Sequence, residues 1–281
     1  LIIDIGWESL DDWFEFWNNK KNILSIGQFW KNKVNDDWIW GLALPLLSQA
    51  YKFKNNFYDR KIIGISALPG TGKTTLGKWL EAISLKLNFK IAVISIDDFY
   101  LPSEEMNLAV KHNPWNVSRG FPGSHSVKLM HEKILNWKIN GELKVPVFDK
   151  SLRNGLGDRS HWRSDNPDLL ILEGWFLGIE PFSEDVNYQD YKLENLTFHE
   201  SDYVLKIQKN LNDYLDTWSL LDNIWHLKPL KFEYMNIWKS NQEKEMFLKK
   251  GKALQDEKLS NFLRMLSVAI PHESFDLINS Y

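Results

Sequence analysis

Cysteine is absent from this chain of 281 residues. Its absence excludes disulfide bridges, thiolate metal sites and cysteine nucleophiles, and it suits a reducing compartment. Long apolar runs are absent too, because no uninterrupted hydrophobic stretch reaches membrane-spanning length. We therefore expect a protein of the cytoplasm, or of an organelle interior if a transit peptide has been removed.

A strong charge of either sign is also lacking, since 34 basic and 37 acidic residues leave a net charge of −3. This balance argues against nucleic acid or an anionic membrane as the main partner. Aromatic residues, in contrast, are plentiful, and the 14 tryptophans are unusual for this length. We expect most of them to be packing residues, because large aromatics dominate core burial.

The most informative pattern lies between residues 62 and 75. An apolar strand runs into a turn with glycines at 70 and 72, and Gly-Lys-Thr-Thr then opens a helix. Such a turn points successive N–H groups inward, and the helix N-terminus adds its positive dipole end, so the pattern predicts a phosphate-binding loop. The residues expected to bind a nucleotide are Ala67, Gly70, Thr71, Gly72, Lys73, Thr74 and Thr75.

Two side chains of this loop have separate predicted roles. Lys73 supplies a mobile charge for the β- and γ-phosphates, and the Thr74 hydroxyl is placed to hold Mg²⁺. We therefore expect ATP and Mg²⁺ as cofactors. Ala67 stands where the usual pattern has its first glycine, but the flanking strand and the helical spacing from residue 73 onward support the motif. The alternative is an ordinary strand–turn–helix connection, which this context disfavours.

Alternation of strands and helices from residue 61 onward predicts an α/β fold, three layers deep, with a mostly parallel sheet. Predicted strands are 61–67, 90–96, 168–173 and 203–208; predicted helices are 73–87, 126–139, 209–221, 231–250 and 256–267. Residues 1–58 form a predicted helical N-terminal extension, and 59–281 form the catalytic domain. Its polar segment 146–166 is predicted to be an irregular lid or substrate loop.

Within the extension, two helices are predicted. Ser9 is placed to cap the first helix. The second helix should run from Asp36 towards Tyr51, and Pro45 should interrupt or kink it.

Carboxylates follow two of the predicted strands. Asp97 and Asp98 end one strand, and Glu173 ends another. Ligands of open α/β sheets bind at the carboxyl ends of strands, so these side chains should face the phosphate loop. A carboxylate there can accept the proton of an attacking hydroxyl or bind Mg²⁺ through water. The alternative is acidic capping residues after core strands, and the neighbouring loop favours function.

Polar side chains are concentrated in two segments between these strands, residues 118–125 and 146–159. The candidates for contacting an anionic substrate or a transferring phosphoryl group are Arg119, His125, Asp149, Lys150, Arg153 and Arg159. Arginine suits such groups because its fork of donors binds two oxygens at once. For any one of these residues, a solvated charged loop is an equally favoured interpretation.

Taken together, these segments resemble the D-glycerate 3-kinase family, which belongs with uridine kinase, phosphoribulokinase and pantothenate kinase. The likeness covers about residues 60–275 and is carried by 64–75, IDDFYL (96–101), RGFPGSH (119–125), FDKSLRNGLGDR (148–159) and LEGWFLG (172–178). It implies a P-loop NTPase-type fold and an ATP-dependent kinase. It also implies the acceptor, the 3-hydroxyl of D-glycerate, which becomes 3-phosphoglycerate.

The resemblance also implies residue roles. Asp97 would be the catalytic base, assisted by Lys73 and Arg159, and Thr74 and Glu173 would organise Mg²⁺. The implied substrate-binding residues are Asp98, Tyr100, Arg119, His125, Asp149, Lys150 and Arg153.

This chain departs from the family pattern at three positions in the acceptor region. Ser126 stands where Asp is usual, Phe148 where Tyr is usual, and Leu156 where Arg is usual. One alternative is therefore a kinase for another small hydroxylated metabolite, such as a nucleoside or a pantothenate-like acceptor. An alternative of a different class is a non-catalytic nucleotide-binding module whose tryptophan-rich N-terminal segment docks a partner.

Overall fold

Four parallel strands form the central sheet of the computed structural model, which describes residues 1–24, 36–54, 59–182, 196–251 and 253–278. In chain order, the strands are β1 (Ile62–Ala67), β2 (Ile91–Ser95), β3 (Leu143–Asp149), β4 (Asp158–Asp165), β5 (Leu169–Gly174) and β6 (Asn223–Leu227). The central sheet has the order β2-β5-β1-β6, and β3 and β4 form a separate antiparallel hairpin.

Helices surround this sheet. They are α1 (Leu10–Asn18), α2 (Asp36–Trp38), α3 (Leu44–Phe53), α4 (Lys73–Lys86), α5 (Ser103–Ala109), α6 (Val127–Asn140), α7 (Phe198–Leu211), α8 (Leu215–Trp218), α9 (Tyr234–Lys250) and α10 (Asp256–Val268). The predicted α/β class is confirmed. Within the described ranges, no helix combines the length and the apolar character that a membrane crossing needs.

The register of the parallel strands brings three strand ends together. Glu173 of β5 lies opposite Ile65 of β1 on one side and opposite Ser95 of β2 on the other. The loop after β1 and the turn after β2 therefore leave the sheet at the edge where Glu173 stands. This edge carries the phosphate loop, residues 67–74.

Alternate residues of each strand enter two different cores. Ile62, Ile94 and Leu172 face one core with α6, α7 and α10. The opposite core contains Ile63 and Ile171 with α3, α4 and the N-terminal residues. The burial of both faces explains why these strands read as continuous apolar runs in the sequence.

The N-terminal extension packs on one face of the sheet through α4. The predicted cap is confirmed, because the Ser9 hydroxyl accepts a hydrogen bond from the backbone N–H of Asp12 at 3.1 Å. The indole N–H of Trp79 in α4 donates to the carbonyl of Leu24 at 3.0 Å. The second helix is present as α2 and α3, joined by a π-helical turn, Ile39–Ala43. Pro45 lies in the first turn of α3, where the backbone stays helical, so it does not interrupt the helix.

Two further expectations were wrong. Residues 203–208 belong to α7, which begins at a capping box formed by Thr197 and Glu200. The polar segment 146–166 is largely the β3–β4 hairpin, with residues 150–157 as its connection. The alternation that marks a strand is absent from β4, because all its side chains, on both faces, are exposed or half-buried.

Candidate active site

The phosphate loop has the backbone geometry of an anion site. Gly70 and Gly72 have φ values of +87° and +91°, which residues with a side chain rarely adopt. Helix α4 begins directly afterwards, at Lys73. The Lys73 ammonium donates to the carbonyls of Ala67 and Leu68 at 2.6 and 3.0 Å. Within the described ranges, the backbone N–H groups of residues 70–74 donate no hydrogen bond. The loop thus offers free donors and a cation at a helix N-terminus.

Helix α9 rests on this loop. A Cβ atom placed on Gly70 would lie 2.8 Å from the carbonyl carbon of Trp238 and 2.8 Å from its Cβ atom. Such contacts are too short for real side chains, so only glycine allows this approach. The first turns of α9 therefore form one wall of the site.

Glu173 faces the loop from the end of β5. Its side chain is buried, and a carboxylate oxygen lies 4.0 Å from the Lys73 ammonium. Burial raises the pKa of Glu173, and the charge of Lys73 opposes this shift. Burial likewise lowers the pKa of Lys73, which Glu173 opposes. Each group therefore stabilises the charged form of the other.

Asp97 lies in the 3-10 turn that follows β2. One carboxylate oxygen accepts a hydrogen bond from the Lys150 ammonium at 2.7 Å, and the other lies 4.0 Å from Nε2 of His125. Burial opposes ionisation of Asp97, yet the Lys150 ammonium and the imidazole hold its pKa well below the usual range. Asp97 is therefore a carboxylate at neutral pH.

Asp98 has a different local role. Its oxygens accept hydrogen bonds from the backbone N–H groups of Ser95 at 3.1 Å and Phe148 at 3.4 Å. It therefore caps the turn after β2 and ties that turn to the hairpin. Its role in substrate binding stays a prediction.

Two arginines hold the hairpin and its connection to the rest of the domain. One terminal nitrogen of Arg119 donates to the carbonyls of Gly155 and Leu156 at 3.1 and 2.6 Å. Arg159 donates from Nε to the carbonyl of Tyr100 at 3.1 Å and from its terminal nitrogen to the Ser126 hydroxyl at 2.6 Å.

A large cleft joins the phosphate loop to the hairpin. Predicted site residues that line it are Gly70, Gly72, Lys73, Thr74, Thr75, Asp97, Asp98, Tyr100, Arg119, Asp149, Lys150 and Glu173. Predicted residues outside its lining are Ala67, Thr71, His125, Arg153 and Arg159. Arg153 is exposed, whereas His125 is buried directly behind Asp97. The functional roles assigned to these residues stay predictions.

The structure also places in the cleft a cation that the sequence reasoning did not single out. Lys239 of α9 lines the cleft and pairs at 2.5 Å with the buried Glu243, one turn further along the helix. Burial lowers the pKa of Lys239, and the charge of Glu243 opposes this shift. No local signal distinguishes this lysine from the other polar residues of α9, because only the packing of the helix on the loop directs it inward.

The sheet, the loop and the strand-end carboxylates define the class of P-loop kinases. No family model matches the chain. An uncharacterized kinase of Schizosaccharomyces pombe, mug58, is 30% identical over 217 residues, which are 72% of this chain and 76% of that protein. The chloroplastic D-glycerate 3-kinase of Arabidopsis thaliana is 33% identical over 216 residues, 72% of this chain but 45% of that protein.

A solved structure shows the same fold. The D-glycerate 3-kinase of Cryptococcus neoformans superposes with a TM-score of 0.68 at 24% identity, over 84% of this chain and 91% of that one. The chain belongs to the same family of P-loop kinases as mug58, and it is similar in sequence to the D-glycerate 3-kinase of Arabidopsis thaliana. It is therefore an ATP-dependent small-molecule kinase.

Proposed function

We propose that this kinase transfers the γ-phosphoryl group of ATP to the 3-hydroxyl of D-glycerate and forms 3-phosphoglycerate. The observation that carries the proposal is the Asp97 carboxylate, which lines the same cleft as the phosphate loop and is held ionised by Lys150. A carboxylate in that position is suited to accept the proton of an attacking hydroxyl.

The loop side of the cleft binds the phosphoryl donor. The free N–H groups of residues 70–74 and the Lys73 ammonium fit the oxygens of a triphosphate. Thr74 and Glu173 would hold Mg²⁺, which usually takes one or two protein oxygens and completes its shell with phosphate oxygens and water. When bound, the ion neutralises phosphate charge and aligns the transferring group.

The hairpin side of the cleft binds the acceptor. Lys150 and Arg119 line it and bring positive charge towards a substrate carboxylate and the moving phosphoryl group. Asp97 orients the hydroxyl and takes its proton as the new bond to phosphorus forms. Catalysis in this arrangement comes mainly from alignment and charge stabilisation.

Support for glycerate comes from the relatives, since two of them bear the name D-glycerate 3-kinase. The three departures from the family pattern lie around Arg119 and Arg159. The Ser126 hydroxyl accepts a hydrogen bond from Arg159, and the Leu156 carbonyl accepts one from Arg119. The Phe148 ring lies 5.6 Å from the Arg119 guanidinium. These substitutions therefore bear on acceptor choice rather than on the phosphate loop.

An acceptor panel tests the proposal. Purified protein with Mg-ATP is given D-glycerate, a nucleoside or pantothenate, and ADP release is followed against a reaction without acceptor. Of these acceptors, we expect only D-glycerate to cause ADP release, with one 3-phosphoglycerate formed for each ADP. Turnover with another acceptor and none with D-glycerate would refute the substrate assignment while leaving a kinase.

The role of Asp97 is tested by Asp97→Asn. The amide keeps the shape but cannot take the hydroxyl proton, so kcat should fall roughly 100-fold or more while ATP binding persists. Asp216→Asn is a matched control, because Asp216 is exposed on α8 and is not among the residues lining the cleft. Turnover close to the wild-type rate in Asp97→Asn would exclude Asp97 as the base.

A further inference from the structure

The imidazole of His125 lies directly behind the Asp97 carboxylate. Its side chain is buried, and the ring of Tyr100 stacks on it with centroids 4.5 Å apart and planes 21° apart. Its two nitrogens face different partners. Nδ1 lies 2.8 Å from the hydroxyl of Tyr214, and Nε2 faces Asp97 at 4.0 Å.

The hydrogen bonds of Tyr214 determine where the imidazole carries its proton. The backbone N–H of Gly123 donates to the Tyr214 oxygen at 3.1 Å. Within the described part of the chain, the remaining polar neighbour of this hydroxyl is Nδ1 of His125. If Nδ1 carried a proton, the buried O–H of Tyr214 would lack an acceptor, which is unfavourable for a buried hydroxyl. Nδ1 is therefore the acceptor, and the proton of the neutral ring is on Nε2.

The neutral state of the ring follows from its surroundings. Burial lowers the pKa of His125, although the Asp97 carboxylate opposes this shift. The Lys150 ammonium already neutralises that carboxylate at 2.7 Å, and its positive charge also disfavours a second cation.

The Nε2–H group that results has no partner of its own. It is buried, and within the described residues it makes no hydrogen bond, since 4.0 Å to Asp97 is too long for one. A buried donor without a partner is costly, and this one faces the carboxylate that lines the cleft. The acceptor that it faces is the Asp97 carboxylate, because His125 does not itself line the cleft.

We propose that Tyr214 is a positioning residue that fixes His125 as the Nε2–H tautomer and so directs a hydrogen-bond donor at the carboxylate of Asp97. The inference rests on the proposed phosphoryl transfer with Asp97 as base. Without the Tyr214 proton, the imidazole is free to place its proton on Nδ1, and the lone pair of Nε2 then repels the Asp97 carboxylate.

Tyr214→Phe tests this role because it removes the hydroxyl and keeps the ring. Outer-shell partners that orient a histidine typically contribute 10–100-fold, so we expect kcat/KM for the acceptor to fall about tenfold or more. The KM for ATP should stay within about twofold of the wild-type value, because the phosphate loop follows β1 whereas Asp97 follows β2. Tyr203→Phe is the matched control: Tyr203 is also buried, but its hydroxyl contacts the carbonyl of Ala109 at 3.4 Å, away from His125.

Imidazole ¹⁵N NMR measures the tautomer of His125 directly. A purely structural role of Tyr214 would leave this tautomer unchanged. The signals of His125 are assigned by comparison with His125→Gln among the seven histidines. We expect a protonated Nε2 and an unprotonated, hydrogen-bonded Nδ1 in the wild type and in Tyr203→Phe. In Tyr214→Phe, the Nδ1 signal should lose its hydrogen-bond shift and the two nitrogens should move towards a mixture of tautomers.

Several results would overturn the inference. One is a protonated Nδ1 in the wild-type protein, which needs no variant and no substrate to observe. Another is an unchanged kcat/KM for the acceptor in a folded Tyr214→Phe protein. The tautomer is read without turnover, so if D-glycerate proves not to be the acceptor, the NMR result stands and the kcat/KM comparison uses whichever acceptor the panel identifies.

Discussion

Replacing Gly70 by alanine tests the contact between helix α9 and the phosphate loop. The new methyl group would lie 2.8 Å from two carbon atoms of Trp238 and 2.9 Å from the backbone nitrogen of Lys239. Two of these three atoms belong to the backbone, so the contact cannot be relieved by rotating a side chain. The chain offers a matched control in Gly72→Ala, because Gly72 has nearly the same positive φ but no atom within 4 Å of the position that its methyl carbon would take.

The magnitude follows from two separate costs. Both substitutions force alanine into left-handed backbone, at about 1–2 kcal/mol each. Gly70→Ala adds an overpacking cost of about 1–3 kcal/mol, which Gly72→Ala lacks. A difference of about 2 kcal/mol corresponds to a melting temperature lower by roughly 4–8 °C in a chain of this size.

Unfolding in denaturant without nucleotide measures this difference, and the 14 tryptophans provide a strong fluorescence signal. The nucleotide must be absent because Gly72→Ala also obstructs the phosphate site, which would confuse binding with stability. Equal destabilisation by the two variants would show that α9 does not rest on the loop. A smaller effect of Gly70→Ala than of Gly72→Ala would contradict the packing even more directly.

Two further predictions concern stability away from the cleft. Arg264 donates to both oxygens of Glu200 and, with smaller contributions from other donors, lowers the pKa of Glu200 from 4.5 to about 2. Because the folded-state pKa is depressed, this stabilisation is present above pH 4.5 and lost as the pH falls towards 2, and Glu200→Gln should flatten that part of a stability–pH curve. A curve identical to that of the wild type would contradict this. Ser48→Ala removes the acceptor that the indole N–H groups of Trp13 and Trp17 share at 2.7 Å, so the free energy of unfolding should fall by about 2 kcal/mol or more. An unchanged unfolding midpoint would show that both indoles find other acceptors.

The phosphate loop and the strand-end carboxylates could be predicted from the sequence because each is a local pattern. The loop is one contiguous strand–turn–helix, and Asp97 and Glu173 directly follow apolar strands. Parallel strands place their carboxyl ends at one edge, so local patterns were enough to bring these residues to one cleft.

The wrong and missing strand predictions also have local causes. Tyr203, Val204 and Ile207 fit a strand as well as one face of a helix, and the capping box of Thr197 and Glu200 was the signal that decides for the helix. Strand β6 was missed because all its residues are half-buried, which gives no clear apolar run.

By itself, the sequence determined the class of fold, the phosphate loop and the strand-end carboxylates, because backbone geometry and strand ends are encoded by neighbouring residues. The tertiary structure alone decided which cations enter the cleft: Lys239 does, whereas Arg159 braces Ser126 and a backbone carbonyl. It also joined His125 to Tyr214 across 89 positions of sequence. Contacts of this kind depend on how whole helices pack on the sheet, and no short stretch of residues carries that information.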